Sequence, residues 1–85
     1  AVYLIIEIAD TTLNRDLGMK VNLYAAADIT DYWIFDVAKQ QLHVFRDPET
    51  DGYQRQLILG TQQSISPLAF SDYGVRVQEC FGLMT

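Results

Sequence analysis

The chain has 85 residues, of which 49% are apolar and 20% are charged, with eleven acidic and six basic side chains. This size and composition predict one domain over residues 1–85 and are typical of a globular rather than a disordered chain. The net charge of −5 argues against tight, nonspecific binding along a nucleic-acid backbone, which normally needs a clustered basic face. A metal-dependent enzyme stays open, because a bound cation would partly neutralise its acidic residues.

Cysteine content and hydropathy bear on the compartment. Cys80 is the only cysteine, which excludes an internal disulfide and a cysteine-cluster zinc site and makes a reducing cytoplasm the expected location. No apolar stretch approaches the ~18–20 residues of a membrane-spanning helix. No basic segment precedes the first apolar run, so we expect neither a signal peptide nor a membrane partner.

The first predicted element is a strand over residues 2–8, an apolar and β-branched run that only Glu7 interrupts. Apolar residues on both alternating faces are typical of a strand covered on both sides. Burying an unpaired carboxylate there would cost on the order of several kcal/mol, so Glu7 needs a partner or a metal ion. Because the chain enters this central strand directly from Ala1, we expect the C-terminal part of a larger domain, a chain completed by another copy, or a shortened chain.

A helix is predicted next, beginning after the cap-forming residues Asp10, Thr11 and Thr12. At 100° per residue, Lys20 falls about 20° from Leu13, on the margin of an apolar stripe. The stripe consists of Leu13, Leu17, Val21 and Tyr24. We therefore expect the helix to pack this stripe on the sheet and to carry Lys20 in with it.

The remaining elements complete an α/β fold. Aromatic and β-branched residues 32–37 predict a second strand, and strand, helix and strand form a βαβ unit with parallel strands and a right-handed crossover. An antiparallel meander is predicted to follow, with a returning strand over residues 41–46, a turn over residues 47–52 and a third antiparallel strand over residues 53–59. Residues 64–70 are expected to be irregular, and residues 75–81 to begin as a short strand or to enter a terminal helical turn directly.

Glu7 is the main candidate for chemistry. At the carboxyl end of a parallel strand, where open α/β sheets place their sites, it would be a metal-binding carboxylate. The alternative is a glutamate on a half-covered strand that points to water. Both hypotheses remain open on the pattern alone.

Lys20 is the second candidate. It would hold an attacking water or stabilise the charge that develops on a phosphorane. The alternative is a lysine at the rim of an apolar face with its ammonium in solvent, or one that pairs weakly with Asp16 at i, i+4. If Glu7 and Lys20 both turn inward they need each other, so the two functional hypotheses stand or fall together.

The other notable side chains are assigned to structure. His43 is predicted to be an outward-facing strand residue, because Leu42 and Val44 should face the opposite side and no second ligand lies at metal spacing. Cys80 is predicted to pack in the core. Few basic residues interleave with the aromatic ones, so core or interface packing is favoured over a base-stacking platform for Trp33, Phe35, Phe45 and Tyr53.

A resemblance to the Uma-two family of putative restriction endonucleases is carried by residues 5–35, IIEIADTTLNRDLGMKVNLYAAADITDYWIF. The family is abundant in cyanobacteria and belongs to the PD-(D/E)XK nuclease superfamily. Its pattern is roughly V-I-E-V-x-D-T-S/T-L-x-x-D-R-x-x-K-x-x-x-Y-A-x-A-G-I-x-E-Y-W-x-V-D, and the spacing from Glu7 to Lys20 matches it without a gap. The resemblance continues through FRD at residues 45–47, GY at 52–53 and SPLAF at 66–70.

The resemblance implies a restriction-endonuclease-like mixed sheet and a metal-dependent phosphodiesterase acting on nucleic acid, with DNA as the expected partner. Glu7 matches the family glutamate and is implied to be a catalytic metal ligand, with Mg²⁺ as the cofactor. Lys20 matches the family lysine, which has migrated onto the helix, and is implied to position water and stabilise charge. Asp10, Asp16 and Tyr24 match recurrent family positions to which we assign no catalytic role.

The chain also departs from the family pattern. The first metal-binding Asp would fall at Ala1 or, in the commoner spacing, at Tyr3, and neither side chain can bind Mg²⁺. The N-terminal half of the family is missing, so we expect this chain to correspond to the C-terminal portion. Asp28 stands where the family has Gly, and Thr30 stands where it often has Pro. One carboxylate should bind Mg²⁺ weakly, because hard cations need several oxygen ligands, so an inactive nuclease is one expectation.

The competing hypothesis is a non-catalytic self-association domain derived from the same fold. An exposed strand edge together with the aromatic side chains would then form a homodimer.

Overall fold

A computed structural model describes the backbone of residues 3–9 and 13–84 and the side chains of residues 3–9 and 20–83. The elements in chain order are β1 (Ile5–Ala9), α1 (Leu13–Ala26), β2 (Asp31–Asp36), β3 (Gln41–Glu49), β4 (Gly52–Leu59), β5 (Ser64–Ile65), a 3₁₀ turn (Leu68–Phe70), β6 (Val75–Arg76) and α2 (Val77–Met84). No helix within these ranges is long and apolar enough to cross a membrane.

The described strands form a four-stranded mixed sheet in the order β1-β2-β3-β4, and β5 pairs with β6 separately. β1 and β2 are parallel, with Glu7 opposite Ile34, while β2, β3 and β4 are antiparallel. This arrangement confirms the predicted α/β class, the βαβ unit and the meander. It is compatible with a restriction-endonuclease-like fold.

The two faces of the sheet carry separate apolar clusters because neighbouring strand residues point to opposite sides. The first cluster lies on the face covered by α1 and consists of Ala9, Tyr32, Ile34 and Phe45, with Ile5, Val21, Tyr24 and Tyr53 packed against them. The second lies on the opposite face and includes Trp33, Phe35, Leu42, Val44, Ile65, Val77 and Phe81. All six residues of β2 are buried, as expected for a strand covered on both sides.

The prediction that the first strand is covered on both sides is wrong for the described part of the chain. β1 is an edge strand that pairs with β2 alone among these residues. Ile6 and Ile8 are 50% and 60% exposed, whereas Glu7 and Ala9 on the other face are partly or fully buried. The apolar run therefore misled the prediction, because Ile6 and Ile8 remain half-exposed beside Trp33 and Phe35, their partners on β2.

Several predicted boundaries also change. β3 and β4 extend until Glu49 pairs with Gly52. The turn is therefore a tight bend over residues 49–52 and not the predicted segment over residues 47–52. Gly52 has a φ of 148°, a backbone conformation that residues with a side chain rarely adopt. The segment over residues 64–70, predicted to be irregular, contains β5 and the 3₁₀ turn. Residues 75–81 begin as the short strand β6 before α2, which confirms the first predicted alternative and excludes direct entry into a helical turn.

α1 ends at a left-handed residue. Asp28 has a φ of 61°, its N–H donates to the Ala25 carbonyl at 3.0 Å, and the N–H of Ile29 donates to the Tyr24 carbonyl at 3.0 Å. These two bonds form a Schellman motif, which usually has glycine at the left-handed position. The departure from the family pattern at Asp28 thus falls where glycine would be least strained.

Some sequence predictions lie outside the described residues. They are the helix cap at residues 10–12, the position of Ala1, and the side-chain packing of Leu13, Asp16 and Leu17.

Candidate active site

Glu7 is the middle residue of β1, and its side chain points to the face of the sheet that α1 covers. The side chain is 24% exposed. The sequence placed Glu7 at the carboxyl end of the strand, but β1 continues through Ile8 and Ala9, which pair with Phe35 and Asp36. The carboxylate therefore lies over the sheet rather than beyond its edge.

Lys20 lies in the second half of α1 and contacts Glu7. Its Nζ donates to Oε1 of Glu7 at 3.3 Å and lies 3.5 Å from Oε2, although thirteen residues separate the two positions. The Lys20 side chain is 45% exposed. The structure thus brings together the two residues that the sequence analysis singled out. Glu7 does not simply point to water, and the ammonium of Lys20 is not in contact with solvent alone.

Two tyrosines complete the surroundings of the Glu7 carboxylate. The Tyr32 hydroxyl donates to Oε2 at 2.7 Å, and the Tyr24 hydroxyl donates to Oε1 at 3.2 Å. The sequence interpretation missed both contacts. A sequence signal existed for one of them, because Tyr24 follows Lys20 by one helical turn. The contact of Tyr32 follows from its pairing with Ile5, which shares the face of Glu7, and the sequence alone does not specify that pairing.

The tyrosine hydroxyls remain protonated donors at neutral pH. Burial raises the pKa of Tyr32 well above its ordinary value of 10.0, and the hydrogen bond to Glu7 raises it further. Burial and the negative charge of Glu7 also raise the pKa of Tyr24, against a smaller opposing effect of Lys20. The site is therefore one carboxylate held by a cation and two neutral donors.

The described residues do not by themselves make up a divalent-metal site. Within them, no group of three His, Cys, Asp or Glu side chains comes together. Tyr3, where the family pattern often has its first Asp, is 59% exposed and has no carboxylate to offer. Glu7 offers a single carboxylate, whereas Mg²⁺ needs several oxygen ligands, so a metal bound here would require ligands beyond the described residues.

His43 lies on the predicted face of the sheet but is not exposed. It stands opposite Ile34 on β2 and Ile58 on β4, and only 8% of its surface is accessible. The prediction that it faces outward is wrong because α1 and the neighbouring strands cover that face. Burial lowers the pKa of His43.

The other structural assignments are confirmed. Trp33, Phe35 and Phe45 are buried, and Tyr53 packs against Phe45 with ring centroids 5.8 Å apart. Cys80 packs against the second apolar cluster, on the face of the sheet opposite α1, and burial raises the pKa of its thiol.

Comparison with known families agrees with the resemblance in the sequence. The model of the Uma2 family, described as "Putative restriction endonuclease", matches residues 1–78. Comparisons with curated proteins and with solved structures find no match. Because the family model covers nearly the whole chain and the fold is compatible with a restriction endonuclease, the protein belongs to the Uma2 family.

Proposed function

We propose that this chain carries the glutamate–lysine part of a site that hydrolyses phosphodiesters in DNA. The observation that supports it most is the contact of Lys20 with Glu7 at 3.3 Å, formed between a strand and a helix in a chain of a nuclease family. Surface ion pairs between distant segments are common and weak. This one is distinctive because two further donors converge on the same carboxylate.

Lys20 suits the stabilisation of phosphate charge. Its ammonium has three donors and is compact, and with 45% of the side chain exposed it can reach solvent while still contacting Glu7. In hydrolysis it would hold the attacking water or interact with the charge that builds on the phosphoryl oxygens.

Glu7 would serve as one ligand of a divalent metal such as Mg²⁺. When bound, such a metal activates water and neutralises charge on the phosphate. The remaining ligands are not among the described residues, so we assign the metal no further part in the mechanism. A chain that cannot supply them would not cleave DNA.

The test is a nuclease assay with single-stranded and duplex DNA in the presence of Mg²⁺ or Mn²⁺. We expect metal-dependent cleavage that falls at least about 100-fold in Glu7→Gln and in Lys20→Met, because each removes a charged group of the site. Arg55→Gln is the matched control, because it removes a charge outside the site. Arg55 forms an exposed ion pair with Asp47. Absent cleavage, or equal cleavage by all variants, would contradict the proposal.

A second candidate function is self-association through β1. One edge of β1 is unpaired among the described residues, and this edge and the exposed side chains of Ile6 and Ile8 favour pairing with β1 of a second copy. Light scattering should then give the mass of two chains, and Ile8→Lys should reduce it to one. Ile58→Lys, on the opposite edge strand and 54% exposed, is the control that should leave the mass unchanged. A mass of one chain for the unaltered protein would rule out this candidate.

A further inference from the structure

We propose that Tyr32 is a positioning residue that fixes the orientation of the Glu7 carboxylate, an inference that rests on the function proposed above for that carboxylate. Its hydroxyl makes the shortest of the hydrogen bonds to Glu7, 2.7 Å to Oε2. A hydroxyl that donates to an ionised carboxylate at this distance is in the range of strong, charge-assisted hydrogen bonds.

Tyr32 is suited to this role because packing restrains its ring. The residue is fully buried, and its ring contacts three aromatic neighbours. Ring centroids lie 4.9 Å away at Tyr24, 5.7 Å at Phe45 and 6.4 Å at Tyr53. A side chain held by packing on all sides presents its polar atom at one point only, which is what orientation of a functional group requires.

The backbone pairing of β1 with β2 places the Tyr32 hydroxyl next to the Glu7 carboxylate. Tyr32 pairs with Ile5 in the parallel β1–β2 register, two residues before Glu7 on the same face of the sheet. Both residues thus lie on paired strands rather than on loops. The distance between the phenol and the carboxylate is therefore set by the sheet itself.

The contacts divide the carboxylate into a buried and an accessible side. Tyr32 has no exposed surface, the Glu7 side chain is 24% exposed and the Lys20 side chain is 45% exposed. Tyr32 therefore contacts the carboxylate from the core, and Lys20 contacts it from the side that is open to solvent. By occupying Oε2 from below, Tyr32 limits the rotations of Glu7 and directs the remaining lone pairs towards Lys20 and solvent.

Tyr24 has a different place in this arrangement. Its hydroxyl lies 3.2 Å from Oε1, the oxygen that Lys20 also contacts, and Tyr24 is only partly buried on α1. Its bond is longer than that of Tyr32 and shares its acceptor. We therefore assign the orienting role to Tyr32.

The test uses Tyr32→Phe, which removes the hydroxyl and keeps the ring. Tyr53→Phe is the matched control, because Tyr53 belongs to the same aromatic group and its hydroxyl donates to the Ile29 carbonyl at 2.6 Å instead of to Glu7. Side-chain coupling constants measured by NMR report the rotamer of Glu7. We expect one rotamer in the unaltered protein and in Tyr53→Phe and a mixture in Tyr32→Phe. A single, unchanged Glu7 rotamer in Tyr32→Phe would overturn the proposal.

Two further measurements separate this inference from the proposed nuclease function. If the unaltered chain cleaves DNA, Tyr32→Phe should lower kcat about tenfold with little change in KM, while Tyr53→Phe should not; equal kcat values would count against positioning. If the chain cleaves nothing, the nuclease proposal fails, and the Glu7 rotamer still decides the role of Tyr32. Should Tyr32→Phe not fold, the ¹³Cζ resonance of Tyr32 is compared in Glu7→Ala and the unaltered chain, where an unchanged shift would refute a direct hydrogen bond.

Discussion

Asp31 on β2 and Arg46 on β3 stand directly opposite each other and form an ion pair whose carboxylate is fully buried. The Arg46 guanidinium donates to Oδ1 at 3.0 Å and to Oδ2 at 3.3 Å. Asp31 also accepts from Trp33 Nε1 at 2.6 Å and from the N–H of Leu68 at 2.9 Å, and Arg46 donates to the Ser66 carbonyl at 2.7 Å. This network joins two central strands to the segment that precedes β6 and α2.

Replacement of Asp31 by alanine should therefore destabilise the protein strongly. The change leaves the Arg46 charge and the Trp33 and Leu68 donors without their acceptor, and breaking a buried ion pair costs about 3–5 kcal/mol. Denaturant unfolding measures the free energy of unfolding. The control is Asp47→Ala in the exposed pair with Arg55 at 3.4 Å, which should cost no more than about 1 kcal/mol. Equal losses in the two variants would show that the network contributes no more than a surface pair.

Glu7 and Lys20 should differ in their effects on stability. Lys20→Met removes one partner of a half-exposed pair and should change the free energy of unfolding by about 1 kcal/mol or less. Glu7→Leu should cost about 1–3 kcal/mol, because the buried hydroxyl of Tyr32 loses its acceptor. Thermal or denaturant unfolding of both variants under one buffer condition checks the order, and a larger loss in Lys20→Met would contradict it.

Local patterns were enough to predict the order of the main elements and one contact of the candidate site. Strand and helix periodicities identified β1, α1 and β2, and the helix between the two strands predicted that they are parallel. The position of Lys20 on the margin of an apolar stripe indicated that it could turn towards the sheet, and its Nζ does contact Glu7. These inferences needed only spacing along one or two elements.

The missed features depend on pairing between distant segments. The contact of Tyr32 with Glu7 follows from the β1–β2 register, which no spacing in the sequence specifies. The burial of His43 and the exposure of Ile8 depend on which neighbours cover each face of the sheet. An apolar run does not reveal whether a strand is central or at the edge of a sheet, because the same apolar side chains occur in both positions.

Asp28→Gly should stabilise the protein. Asp28 has a φ of 61°, a conformation that costs an L-residue with a side chain on the order of 1 kcal/mol and costs glycine little. Because glycine also makes the unfolded chain more flexible, which offsets part of this relief, the expected net gain is at most about 0.5 kcal/mol. The control Ala26→Gly, at the last residue of α1, should lower the free energy of unfolding by up to about 1 kcal/mol. A loss of stability in Asp28→Gly would mean that the aspartate side chain makes a compensating contribution.

The stability of the protein should fall as the pH decreases below 6.5, in part because of His43. Burial lowers the pKa of its imidazole, the positive charge of Lys39 acts in the same direction, and Asp36 opposes both. The Gln56 amide nitrogen lies 3.4 Å from Nδ1 and can only donate, which leaves the proton on Nε2, a buried atom with no hydrogen-bond partner among the described residues.

The sign follows from proton binding in the two states. Below pH 6.5 the unfolded chain binds a proton at this residue while the folded chain does not, so protonation favours unfolding until the lowered folded pKa is passed. The loss is about 1.4 kcal/mol for each unit by which the pKa is lowered. His43→Leu removes this titration and an unpaired buried N–H, so its free energy of unfolding should depend less on pH between 6.5 and 5. Denaturant unfolding of both proteins at several pH values measures the difference between their free energies of unfolding, from which contributions common to both proteins cancel. Parallel pH profiles would show that His43 does not contribute.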